Sequence, residues 1–544
     1  MLLPLLVAQW LALAVFALLV QRNGWLFYQG GDQTWFYTSG WILGNGAVPE
    51  TLVGYAWAML QAPVAALAGP NFLAGLPAIV LFQFFVLAPL GVLLVYGIAA
   101  RIGGRAVGYG AASLWIVLPY LAEPLFVDRY HERYVEQVLP QVLGLTALGD
   151  YPSMIALLAA AFFLVRALDS HGAADAVACG LFAGLAVGIK PANGLFVFAP
   201  IAALAIRRRW REIAGFGVAL LPALLTLALW KHKGSGISLL AHDTIRIAAG
   251  ASADDYGPPT FLERVQQYVP LDREQLNQQF LGFREYFWSA RLLEFGALAG
   301  VIAAFRRSAA HAIFLAVWLG AFFVVKGSSP SVTVETGSFW RLLMPAFPAY
   351  FLLLTSIPLL IPVLGAELRE RFPIVHRPLA WRRPVVLTSV ALAFGLPLLV
   401  VAVLPPAKDP DAAKVPLRSL YIPIDNSFRA TVTPVEGGVQ LEWPAYVGSH
   451  ANTFYVVYRS PLEYTFPATG RRVSEGLMCS DTAGGATGCS LEMTEVGRGR
   501  DPRLFDRVPR GRWTYRVAVA ANWLDDADQG DTFVVSAPLN ISVG

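Results

Sequence analysis

Four charged residues are of types that can do chemistry and stand where long apolar stretches begin or end. They are Asp32 in "YQGGDQTWFYTSGWILGNG", Asp150 in "GDYPSM", Lys190 in "VGIKPANG" and Arg341 in "GSFWRLLMPAFP". A carboxylate such as Asp32 or Asp150 can take the proton of an attacking hydroxyl. A fixed cation can hold an anionic leaving group whose charge grows as its bond breaks, so that it favours the transition state over the ground state. Arg341 offers a planar fork that matches phosphate, and Lys190 a point charge able to act beside it. Asp128, His131 and Glu132 in "VDRYHERYVEQ" could line an acceptor site.

Each of these residues also has a plain structural reading. Asp32 and Asp150 could cap the helices that follow them, and Tyr151-Pro152 is a good first turn for such a helix. Arg341 could be a helix-end side chain reaching for the lipid headgroups. A lysine in an exterior turn needs no special role. "DRYHERYVEQ" reads better as a solvated amphipathic helix than as a site.

The elements that must position these residues follow from composition. The 544 residues are 56% hydrophobic and 14% charged, with a net charge of +4. That is too apolar for an ordinary soluble enzyme, and too evenly so for one anchor, so the fold class is a polytopic α-helical membrane protein. No Lys/Arg tract is interleaved with aromatics in the way nucleic-acid binding requires. Apolar windows of the length that crosses a bilayer, roughly 17 to 25 residues, are read at about 1–20, 74–100, 106–122, 151–168, 174–190, 192–206, 213–231, 290–305, 309–325, 341–363 and 384–404, eleven in all. The Arg-rich connections "RIGGR", "RALDSHGAAD", "RRRWRE", "FRRS" and "ELRERFPIVHRPLAWRR" fall on one side, which the positive-inside rule makes cytoplasmic. The expected topology is N-terminus in, C-terminus out, in the inner or plasma membrane. It depends on Lys190-Pro191 being a turn between two short helices, since one long helix would place "RRRWRE" outside. The first segment lacks a basic n-region and an A-x-A-like exit, and is read as a retained helix.

After Leu404 the composition changes. Residues 405–418 are a Pro/Asp/Lys linker between the 1–404 membrane domain and a 419–544 exterior domain. There "FRATVTP", "GGVQLEWPAY", "NTFYVVYRS", "GRWTYRVAVAANW" and "DTFVVSAPLNISV" alternate with period two, as strands of an all-β sandwich do. Trp443 and Tyr515 resemble the core Trp and late-strand Tyr of fibronectin type III domains. Trp513 and Trp523 could stack on sugar rings, but in a sandwich such residues are more often core. Cys479 and Cys489 bracket a Gly-rich loop in what is expected to be an oxidising compartment, which suggests a local disulfide. Cys179 lies within an apolar helix and reads as a small buried hydrophobe. Neither Cys spacing nor His content supports a zinc site.

The stretches "GGDQTWFYTSGWILGNG", "GDYPSMIALLAAAFFLVRAL", "GLAVGIKPANG" and "FWRLLMPAFPAYFLLL" together resemble the GT-C superfamily of polyprenyl-phosphate-sugar-dependent glycosyltransferases, which includes protein O-mannosyltransferases and lipid A aminoarabinose transferases. The resemblance covers roughly residues 1–404 in order and topology. It implies that Asp32 is the base of an inverting displacement at the water–membrane boundary, that Asp150 is a second catalytic acid, and that Thr34–Leu43 forms an amphipathic helix lying on the membrane surface. It implies a polyprenyl-phosphate sugar donor, bound with the help of Lys190 and Arg341, and a glycan, lipid or protein acceptor. This chain has Asp32-Gln33 where many members carry Asp-Glu, which puts a metal-ligating role for that pair in doubt; a divalent ion is neither indicated nor excluded. The second exterior loop, about 126–149, is also longer than the compact form.

Two other readings stay open on sequence alone. A transporter or flippase for a lipid-linked or polar solute would be expected to carry ionisable residues in mid-helix and an internal repeat, and neither is evident. A glycan-binding scaffold would leave Asp32 replaceable.

Overall fold

The computed structural model describes residues 2–20, 32–49, 51, 53–68, 72–130, 140–170, 173–235, 271–286, 290–329, 338–361, 388–406, 424–425, 428–446, 453–462, 464–465, 472–473, 494–521 and 531–544. His131, Glu132, Cys479, Cys489 and Trp523 lie outside these residues, and Asp128 falls within the helix Arg105–Tyr130.

The described residues of the eleven apolar windows are helical almost throughout. Five helices are long and apolar enough to cross a membrane by length and composition: Gly75–Gly103, Asp150–Ser170, Trp210–Gly234, Ala309–Gly327 and Arg341–Leu360. Leu2–Ala17, Ala173–Ile189, Pro191–Ile206 and Thr388–Val403 are apolar but shorter. The flank these helices turn outward is itself apolar, with Leu11, Val218, Leu225, Leu298, Ile302 and Leu399 among its exposed side chains. Such a surface is suited to lipid and not to water. Asp150–Ser170 is the central helix, with 83% of its apolar window buried inside the protein. Its burial fixes Asp150 within the bundle.

The chain reverses at Lys190. Gly180 packs against Phe216 and Ala219, and Gly184 against Leu220 and Ala223, so Ala173–Ile189 and Trp210–Ser235 run parallel. The intervening stretch, a 3-10 turn over Pro191–Val197 and the helix Phe198–Ile206, must therefore run back between them. Proline explains where the first helix stops: the residue before it is driven out of the helical region, and Lys190 sits at φ −138°, ψ 108°. The Asn193 side-chain amide then donates to Ala186 O at 2.9 Å, meeting a carbonyl at the helix end.

The reversal brings four Arg-containing turns together at one end of the bundle. Arg209 donates to the carbonyls of Ala167 and Leu168, and Arg207 Nη2 to Ser308 Oγ at 2.7 Å. Arg101 and Arg166 both lie over the Phe162 ring, and Arg166 pairs with Asp175 at 3.0 Å. At the other end, Lys231 Nζ donates to Thr51 O and Val53 O, and Lys233 Nζ to Leu404 O. There Val48 N also donates to Pro405 O, where the chain leaves the bundle.

The helix Asp32–Gly44 forms and is packed within the protein: residues 36–40 and Ile42 and Leu43 are all buried. Gly40 and Gly44, four apart, present a bare ridge to the helix Tyr55–Ala68. A Cβ on Gly40 would stand 2.8 Å from Ala58 O, and one on Gly44 3.1 Å from the Ala66 Cβ. Small residues on both sides let two helices approach closely, as in membrane helix pairs.

Past the linker the described strands form two main sheets. The larger has the order β1 (Ile424–Asp425), β10 (Asp531–Ser536), β9 (Gly511–Ala521), β4 (Thr453–Pro461), β7 (Thr494–Gly499), with β11 (Leu539–Val543) also pairing β9. The smaller is β2 (Thr431–Val435), β3 (Gly438–Glu442), β8 (Arg503–Asp506). A short hairpin, β5 (Tyr464–Thr465) with β6 (Arg472–Val473), stands apart. Leu441, Trp443, Tyr455, Val457, Tyr515 and Val517 share one core, with the Trp443 and Tyr455 rings 5.4 Å apart. The Tyr515 hydroxyl donates to Asp506 Oδ2 at 2.7 Å, and Arg459 Nη1 reaches the same oxygen at 2.7 Å. Burial, helped by this bond to Asp506, raises the Tyr515 phenol above its ordinary range. Trp513 is half-buried, with the Arg459 guanidinium 5.0 Å from its ring centre.

Candidate active site

Asp32, Asp150, Lys190 and Arg341 meet at the end of the bundle opposite the Arg-containing turns. Asp150 is at the centre, with a side chain only 1% exposed. Its Oδ1 accepts from Lys190 Nζ at 2.5 Å and its Oδ2 from Arg341 Nε at 3.1 Å. Arg341 Nη2 also donates to Asp32 Oδ2, so one guanidinium bridges two carboxylates 118 positions apart in sequence. Asp32 is the open member of the group, with 44% of its side chain exposed.

Each side chain is held by the element that carries it. Asp150 begins the central helix, and the turn leading to it is fastened from several directions. Gln33 Oε1 accepts from Ala147 N at 2.5 Å, Trp57 Nε1 donates to Ala147 O at 2.8 Å, and Gln61 Nε2 donates to the same carbonyl at 3.2 Å. Gln83 donates to Thr146 O, and Gln141 Nε2 to Trp115 O at 2.8 Å. Gly149 lets the Asp32 helix come close, since a Cβ there would meet the Phe36 ring at 2.6 Å. Lys190 is extended by Pro191 away from its helix axis. Behind it Gly54 packs on the backbone, where a Cβ would stand 2.2 Å from Gly188 O and 2.4 Å from Ile189 O. Arg341 sits in the short helix Ser338–Leu343, which gives way at Met344–Ala346 to a 3-10 turn containing Pro345. Trp318 Nε1 donates to Pro345 O at 3.1 Å and fixes that break.

The electrostatics distinguish the two acids. A buried carboxylate must be paired, and a buried cation likewise. Asp150 has both oxygens occupied by cations and a side chain 1% exposed, a geometry that holds Lys190 and Arg341 in place. Asp32 pairs with Arg341 through Oδ2 and faces solvent. Lys326, at the end of the helix Ala309–Gly327, lies within electrostatic reach of Lys190. Among the described residues no carboxylate pairs with Lys326. Two cations thus pair with the two carboxylates and Lys326 adds positive charge near Lys190, which suits the group to receive an anion.

No protein-family model matches the chain, and no curated protein matches it. Among solved structures it is similar to the archaeal oligosaccharyltransferase AglB from Archaeoglobus fulgidus, in complex with an inhibitory peptide and a dolichol-phosphate. The identity is 14%, the TM-score 0.39, and the match covers 74% of this chain and 56% of that one. The chain thus spans little more than half the length of that structure. Its activity has to be argued from its own residues.

Sequence reasoning left out Gln33 and Lys326. Gln33 entered only as a departure from an Asp-Glu pair, yet it is fully buried and ties the helix carrying Asp32 to the turn before Asp150. Lys326 opens the stretch "KGSSPSVTVETGSFWRLLMP", where nothing in the sequence sets it apart from any other loop cation. Among the described residues no group of three or more His, Cys, Asp or Glu gathers as a metal site would.

Proposed function

We propose that the chain is an integral-membrane glycosyltransferase that moves a sugar, with inversion, from a polyprenyl-phosphate donor to a glycan, lipid or protein acceptor. The observation that carries this reading is the convergence of Lys190 and Arg341 on a buried Asp150, with Asp32 the exposed member of the group. The donor phosphate competes with Asp32 for Arg341, and its arrival frees the carboxylate at the place where the anomeric carbon then lies. The acceptor hydroxyl oxygen bonds to that carbon as the carbon–oxygen bond to phosphate breaks. The proton passes to Asp32, and the electron pair leaves on the phosphate oxygen as polyprenyl phosphate. Arg341, Lys190 and Lys326 hold the charge that grows there.

In this reading the eleven apolar helices span the membrane, with the Arg-containing turns in the cytoplasm and the Asp32 end on the outer face. The C-terminal domain is an exterior module of fibronectin type III kind. Its division into a three-strand and a larger sheet, with Trp443 and Tyr515 in the shared core, supports that assignment.

The test is a comparison of envelope glycans from cells lacking the protein, complemented with wild type or with Asp32→Asn. The proposal expects a sugar to be lost and restored by wild type alone. Equal restoration by both forms would remove Asp32 as the base and leave transport or scaffolding as the better account.

A further inference from the structure

The C-terminal domain carries charge that the transfer reaction does not use. Between Glu495 and Trp513 the chain holds six arginines, Arg498, Arg500, Arg503, Arg507, Arg510 and Arg512, against three acids, Glu495, Asp501 and Asp506. All six arginines are exposed, whereas Asp506 is buried and already taken by Arg459 and Tyr515. Arg498 pairs with Glu495, and the other exposed acid of the segment is Asp501. The segment runs from β7, last strand in the larger sheet's path, through β8, last strand in the smaller, so the arginines follow one seam of the sandwich.

Charges on a terminal strand can serve only to discourage pairing with another chain. Here only Arg498 and Arg503 lie on the end strands β7 and β8; Arg500, Arg507 and Arg510 lie in the stretches flanking β8 and Arg512 in β9, where that purpose does not apply. Residues along β8 alternate in burial. Arg503, Phe505 and Arg507 face outward at intervals of about 7 Å, while Asp506 and Val508 face the core. Phe505 is 45% exposed on that outer face. Gln440 stands opposite Phe505 and Glu442 opposite Arg503 on β3, with Thr433 and Thr431 next in register on β2. The outer face of the small sheet therefore shows an aromatic ring between two guanidinium groups, beside hydroxyl and amide groups. Glu442, next to Arg503, is the acid on this face.

We infer that this face and the arginine seam bind an acidic glycan, a polymer of sugars bearing carboxylates. The aromatic face suits the apolar side of a sugar ring, the Thr and Gln side chains suit its hydroxyls, and the guanidinium forks take carboxylates in bidentate fashion. A bilayer surface is the poorer fit, because the cations follow a narrow seam and surround a ring on a flat polar sheet. The domain leaves the bundle at the end that holds Asp32 and Lys190, since Lys233 and Val48 fasten the stretch before the linker there. A polymer held on the sheet is thus tethered to that end of the molecule. The inference stands apart from the transfer reading.

The experiment uses the full chain in nanodiscs of zwitterionic lipid, with alginate, a polyuronate, as probe and neutral dextran as control. Wild type is expected to bind alginate, more weakly as salt is raised, and to ignore dextran. The triple substitution Arg503→Ser/Phe505→Ser/Arg507→Ser should weaken alginate binding at least about tenfold, with an unchanged melting temperature. Arg503→Lys/Arg507→Lys, which keeps the charge and the ring, should retain more affinity than the triple variant. Asp32→Asn should bind as wild type does, so failure of the transfer reading would not be mistaken for failure here. Undiminished alginate binding by the triple variant would overturn the inference. So would equal binding of dextran, or capture of anionic vesicles without capture of alginate.

Discussion

At one end of the bundle Arg209 donates to two helix-terminal carbonyls, Arg207 to a serine hydroxyl, and Arg166 to Asp175, nine residues along. At the other end Arg341 reaches carboxylates 191 and 309 positions away, and Lys190 one that is 40 positions away. The first set closes helices and joins adjacent turns, so each cation stays near the backbone it serves. The second set draws side chains from four separate segments onto one another, and leaves an acid exposed and a lysine without a carboxylate partner among the described residues. Separation in sequence does not divide the two sets, since Arg207 and Ser308 are 101 positions apart and Arg209 and Ala167 are 42 apart; their acceptors do, mainly backbone carbonyls and a hydroxyl at one end and two shared carboxylates at the other.

Substitutions that separate these two uses should differ in kind as well as in size. The largest effect is expected from Arg341→Ala, which removes the bridge between the acids and, in the proposed reaction, the fork that holds the phosphate. Transfer should fall about a thousandfold, equivalent to about 4 kcal/mol of barrier, measured as sugar transferred per mole of folded protein. A loss below tenfold would return Arg341 to a helix-end role. Asp150→Asn should act chiefly on stability. It leaves Lys190 and Arg341 close together without the buried carboxylate, a loss of about 3 kcal/mol, read as a lower midpoint of thermal unfolding in detergent. A stability equal to wild type would mean that Asp150 does not hold the pair.

At the opposite end, Arg209→Gln should cost about 2 kcal/mol through two lost bonds to carbonyls. Turnover per folded molecule should not change; a selective loss of activity would break the contrast between the ends. The smallest effect is expected from Gln33→Ala, about 1 kcal/mol for one buried bond, with a several-fold fall in turnover as the turn before Asp150 loosens. Unchanged turnover would show that this turn does not set the geometry of the acids.

Much of this was legible in the sequence. Apolar windows mark helical segments because hydropathy reports solvent directly, and the Lys190-Pro191 break follows from proline's demand on the residue before it. The four charged residues stood out because each lies at the edge of an apolar run. Their neighbours were not legible. Nothing local distinguishes Asp150, sealed behind two cations, from Asp32, open to solvent, because both follow a glycine in sequence and begin a helix. The placement of Thr34–Leu43 inside the protein was written in Gly40 and Gly44 opposite Ala58, Ala62 and Ala66, a small-residue ridge that an amphipathic reading passes over. Gln33 was noted for the residue it replaces, and its bond to Ala147 N depends on a contact 114 positions away.

The most direct measurement is release of free polyprenyl phosphate from a polyprenyl-phosphate-sugar donor, by purified wild type and Asp32→Asn in nanodiscs with acceptor present. The account expects release by wild type, and an Asp32→Asn protein that still binds the donor without releasing the lipid phosphate. Equal release by the two proteins would contradict it, because the exposed carboxylate would then have no part in breaking the bond to phosphate.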